Sequence, residues 1–153
     1  KAVSIPIAYF GAIFADLNIV SALASRFADE IEEFLGLRTS LILLILATGT
    51  GFLLFGQIAI VYSFIFAFIH NFVRGFYSPV ISDYINKITD STDRSTVLSF
   101  ESLAGRLLYA SAIPFIGLIS DTYGLMTAMN SLALTSFVLG GLILSVMAYD
   151  NVI

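Results

Sequence analysis

Within the segment QIAIVYSFIFAFI-HNFVRGFYSP-VISDYI, the side chains able to do chemistry are His70, Asn71, Arg74 and Ser78. At 3.6 residues per turn all four fall on one helical face. An imidazole, a carboxamide, a guanidinium and a hydroxyl together form a set of hydrogen-bonding groups suited to holding a polar solute. As the lone histidine of the chain, His70 is also a candidate proton relay. The plainer alternative is a structural cluster that ties neighbouring helices together. Three more ionisable residues, Asp16, Glu101 and Arg106, interrupt apolar stretches elsewhere and extend the same question.

The composition fixes the solvent in which these groups must work. Hydrophobic residues make up 58% of the 153 residues and charged ones 12%, with a mean hydropathy of +0.96. A water-soluble domain carries roughly 25% charged residues, so this chain lies well outside that class. A formal net charge of −4 and the lack of a basic run speak against nucleic acid as a partner. Without cysteine, neither a disulfide framework nor a Cys-ligated metal site can form, and nothing else suggests a metal or cofactor. The sequence starts at Lys1 with no cleavable signal pattern, which suggests a piece of a longer protein.

A helix needs about 20 apolar residues to cross a bilayer. Thr39 to Val73 is free of formal charge and too long for one crossing, with a natural break at Gly56-Gln57. The expected fold is therefore an all-α, polytopic transmembrane bundle of five spans at about 4–25, 39–56, 58–84, 96–119 and 123–149. Arg26, Arg38, Lys87 and Arg94 lie in the connections at 26–38 and 85–95, whereas the turns at 56–57 and 120–122 hold no Lys or Arg. The positive-inside rule puts the first two on the cytoplasmic side of a multi-pass protein, with the cell membrane as its site. Asp29, Glu30, Glu32 and Glu33 dilute that bias, but acidic residues weigh little in the rule.

An intramembrane charge costs at least about 2.5–3.5 kcal/mol, so such groups face protein or water and not lipid. The third span, the most polar, is thus the expected wall of a solute cavity. Counting residues from the cytoplasmic ends at a 1.5 Å rise puts Asp16, Arg74 and Arg106 at similar depth, about 14 Å inside. Asp16 is expected to pair with one arginine, leaving the other for an anion or for an acidic residue elsewhere. Asp83, Arg94 and Glu101 are expected to form a charge network at the cytoplasmic edge. Ser91, Thr92 or Asp93 is expected to cap the fourth span. Gly49, Gly51, Gly140 and Gly141 are expected to let helices approach closely, and Pro79 and Pro114 are candidate kinks.

The run RGFYSPVISDYINKITDSTDRSTVLSFESLAGRLLYASAIPFIGLISDTYG, residues 74–124, resembles the late part of a major facilitator superfamily transporter. It pairs a tenth helix ending in a YIN-like tail with an eleventh opening TVLSFESLAGRL, then Pro114-x-x-Gly117 and Asp121-x-x-Gly124. Upstream, ASRFADEIEEFLGLR is similar to the loop between helices eight and nine, with Gly36 and Arg38 in place and an acidic insertion at 29–33 outside the pattern. The resemblance implies a partial C-terminal half, helices eight to twelve, whose tenth helix lines a central cavity. It implies secondary active transport of a small-molecule solute by alternating access, with the bilayer and an N-terminal half of the same chain as partners.

An enzyme is not expected, because one histidine without HExxH or Gly-x-Ser-x-Gly supplies no nucleophile–base constellation. Nucleotide hydrolysis lacks its phosphate loop. A structural or receptor-type membrane component, its polar cluster serving packing only, stays open as the alternative.

Overall fold

The computed structural model describes residues 9–58 and 65–150. Among these residues the chain forms six α-helices: α1 (Phe10–Arg26), α2 (Ala28–Leu35), α3 (Leu37–Gln57), α4 (Ala67–Ile88), α5 (Arg94–Tyr123) and α6 (Leu125–Tyr149). Three of them, α3, α5 and α6, have the length and hydropathy to cross a membrane. The pair α1 and α2, bent by 52° at Phe27, makes a fourth if read as one broken span. The expected all-helical, membrane-type architecture is therefore present in this coarser form. The described part of the expected third span is α4, which is not in that set: its apolar stretch is broken by His70, Asn71 and Arg74. Residues 59–64, which belong to that expected span, lie outside the described residues.

The boundaries depart from expectation in ways the local chemistry explains. The connection at 26–38 is not a loop but holds α2, an amphipathic helix. Ala28 and Ile31 turn inward to the core, while Asp29 and Glu30 in its first turn suit the positive end of the helix dipole. Gly36, at φ +77°, ends α2 and starts α3 in a backbone conformation that side chains resist. The expected turn at 120–122 is helical. α5 runs on to Tyr123, and the reversal is made by Gly124 alone, at φ +90°. Helix α4 runs on past the expected end at 84 to Ile88. Helices α4 and α5 continue through Pro79 and Pro114.

Packing follows the small residues. A Cβ on Gly49 would meet the Phe137 ring, one on Gly140 would fall 2.6 Å from Ile45, and one on Gly56 would fall 3.0 Å from Met129. These contacts descend one helix as they climb the other, so α3 and α6 are antiparallel and closely seated. Gly51 gives its space to the His70 ring of α4. Gly75 of α4 meets the backbone of α1 at Ser21, where a Cβ would collide with the Ser21 carbonyl. The expected close approach thus holds at Gly49, Gly51 and Gly140; Gly141 meets nothing within 4 Å. Ala24, Ala28, Leu44, Phe76 and Val80 form the core where α1 to α4 converge. Helix α5 buries no residue.

Candidate functional site

Polar side chains order the two ends of the bundle. At one end Lys87 of α4 pairs with Asp83 one turn back and reaches Glu32 of α2 at 3.7 Å. The two connections that carry Lys and Arg therefore share that end, as the charge bias requires. The Asp83 hydrogen bond, with Glu32 nearby, holds the Lys87 ammonium above the ordinary lysine range. At the opposite end the Gln57 amide, at the close of α3, donates to the Asn130 side chain of α6 at 3.2 Å.

Between those ends, the four residues of the candidate face divide. His70 packs onto α3: its ring lies 4.2 Å from that of Phe52, edge to face, and sits in the notch left by Gly51. It hydrogen-bonds the Phe66 carbonyl one turn back, while its Nε2 is buried with no partner among the described residues. Asn71 turns its amide onto the Ala67 carbonyl at 3.0 Å, satisfying its own helix. Arg74 and Ser78 are exposed, and neither side chain has a hydrogen bond or ion pair among the described residues. One half of the expected face is thus built into the fold and the other half lies open.

The charge pairings expected from depth are not formed. Asp16 is exposed and makes no ion pair with Arg74 or Arg106 among the described residues. The contact of Gly75 with Ser21 explains this: both helices head toward the Lys87 end, and that register sets Asp16 level with His70, not Arg74. The offset is four residues, roughly 6 Å along the axis. Arg106 lies on the side of α5 that carries Ser99 and Ser102 along a shallow cleft.

Nor do Asp83, Arg94 and Glu101 pair with one another. Arg94 donates to the Asn86 carbonyl at 3.2 Å, Asp83 takes Lys87, and Glu101 accepts a 2.6 Å hydrogen bond from the Tyr77 hydroxyl. Arg38 is exposed beside Ile42, Leu144 and Ser145. Asp93 stands at the start of α5 without a side-chain capping bond, and Ser91 and Thr92 supply none. Tyr77 is the functional-looking residue that the sequence pattern passed over. Its position one turn beyond Arg74, on a helix already marked as polar, was the available signal.

A cavity of about 500 Å³ between α3, α4 and α6 is lined by apolar chains such as Leu44, Ile81 and Ile143, together with Thr48, Tyr77, Tyr84 and Ser136. None of His70, Asn71, Arg74 or Ser78 lines it. Among the described residues no cluster of His, Cys, Asp and Glu could hold a metal ion. The exposed Arg74 and Ser78 offer N–H and O–H donors to a polar group. No family model matches the chain, and no curated protein or solved structure matches it either.

Proposed function

We propose that this chain is the C-terminal part of a secondary carrier of the major facilitator type, moving a small solute across the cell membrane by alternating access. The observation that supports it best is the division of α4. Its other sides are occupied: Gly75 lies on α1, His70 on α3, and Phe76 and Val80 in the core. Arg74 and Ser78 are left uncovered on a helix flanked by spans of membrane length. A charged group in such a helix must meet water or protein, not lipid. The remaining helices of the carrier supply the facing wall, and the solute sits between.

The absence of cysteine makes the test direct. Single cysteines placed at Asn71 and Ser78 in the full-length chain, freed of cysteine elsewhere, are to be labelled with a membrane-impermeant thiol reagent from each side. Labelling from both sides is the expected outcome. Silence from both sides means a packed structural face and removes the carrier reading. The structural alternative draws one specific support, the seat of His70 against Gly51 and Phe52; it concerns that residue and leaves Arg74 and Ser78 unexplained.

A further inference from the structure

We infer that the solute is an anion, held by the Arg74 guanidinium together with the Ser78 hydroxyl. The inference rests on the carrier reading above and adds the chemical class of its substrate. Arg74 is nine residues from Asp83, roughly 14 Å along the helix from the charged end of the bundle. A guanidinium carries a fixed positive charge. It therefore needs a negative partner. The three carboxylates able to serve are engaged elsewhere or turned away: Asp83 holds Lys87, Glu101 holds Tyr77, and Asp16 lies a full turn off in register.

What remains along the ridge is rich in donors. His70, Arg74 and Ser78 follow one another at intervals of four residues, so their side chains are neighbours on the helix surface. Arg74 offers five N–H groups in a planar fork that matches a carboxylate or phosphate, and Ser78 adds an O–H. Neither has a protein acceptor among the described residues. A neutral or cationic solute would leave the guanidinium without a counter-charge, whereas a small organic acid or inorganic phosphate supplies one. Asn71 donates its Nδ2–H to the Ala67 carbonyl and makes no hydrogen bond with Arg74.

The test uses the Asn71→Cys reporter in the full-length chain, reconstituted in phosphatidylcholine vesicles so that no anionic headgroup is present. The probes are acetate, succinate and inorganic phosphate against glucose and choline. At least one anion is expected to slow labelling, with glucose and choline inert. Arg74→Gln should abolish that protection, and Arg74→Lys should raise the protecting concentration about tenfold or more, the loss of a charge-assisted hydrogen bond. Unaltered labelling of Arg74→Gln without solute shows that the helix is intact; if that variant does not fold, Arg74→Lys decides. Protection by glucose or choline alone overturns the anionic class and leaves the carrier standing. Labelling that none of the anions slows, or protection that survives both Arg74 substitutions, overturns it too. Failure of both the Asn71 and the Ser78 cysteines to label from either side removes the carrier reading itself.

Discussion

Helices α3 and α6 meet through missing side chains: Gly49 admits Phe137, Gly140 admits Ile45, and Gly56 admits Met129. Between α4 and α5 the link is of another kind, a 2.6 Å hydrogen bond from the Tyr77 hydroxyl to the Glu101 carboxylate, with no residue of α5 buried. The first contact is mainly apolar and depends on shape. The second depends on a directional polar bond between partly exposed groups, which can be broken and remade at small cost. In a bilayer, where apolar burial gives helices little reason to associate, close packing over small residues is the firmer of the two. The bundle thus pairs a part seated closely over small residues, α1, α3, α4 and α6, with a helix that buries no residue.

Damage to the closely seated part should have the largest effect. Gly75→Val directs a branched side chain into the backbone of Ser21, which cannot yield as a side chain would. A loss of about 3 kcal/mol or more is expected, read from denaturant unfolding in detergent. Next in size is Gly49→Ala, at about 1–3 kcal/mol, because the Phe137 ring occupies the site. Adding Phe137→Ala should return part of that loss, and simple additivity of the pair would show that the two do not meet.

The α4–α5 link should answer more weakly. Tyr77→Phe removes one hydrogen bond to a carboxylate and is expected to cost about 1 kcal/mol, reduced from the buried value by the exposure of both groups. An effect as large as that of Gly75→Val would erase the contrast between the two contacts. Lys87→Met should give the smallest change, since its ammonium is largely exposed. Its raised pKa fixes the pH window: the ion pair contributes fully below the ordinary lysine range and is lost as pH climbs through the folded value above it. Melting profiles of the wild-type chain and Lys87→Met should accordingly differ by a constant amount at neutral pH and converge in strong alkali.

What could be seen beforehand divides along a physical line. Charge-free runs and the TGTG segment act through composition, and composition is fully written in the chain; the helices and their close contacts at Gly49, Gly51 and Gly140 were legible for that reason. Helix α2 was not, because four acidic residues suggest a solvated loop until Ala28 and Ile31 are seen to share the inward side. The Asp16–Arg74 pairing failed for a different reason. Depth counted along two helices says nothing of their relative register or of rotation about each axis, and Gly75 on Ser21 sets both. The bond from Tyr77 to Glu101 joins two residues that share only their polarity, and no spacing rule reaches across separate helices.

Gly124 carries a consequence of its own. A single residue separates the end of α5 from the start of α6, and one residue spans at most about 3.6 Å of chain. The thirty-residue α5 therefore cannot slide lengthwise past α6. Its other end is tied as well, by the five residues 89–93 and by the Arg94 hydrogen bond to the Asn86 carbonyl, so α5 is moored to α6 at one tip and to α4 at the other.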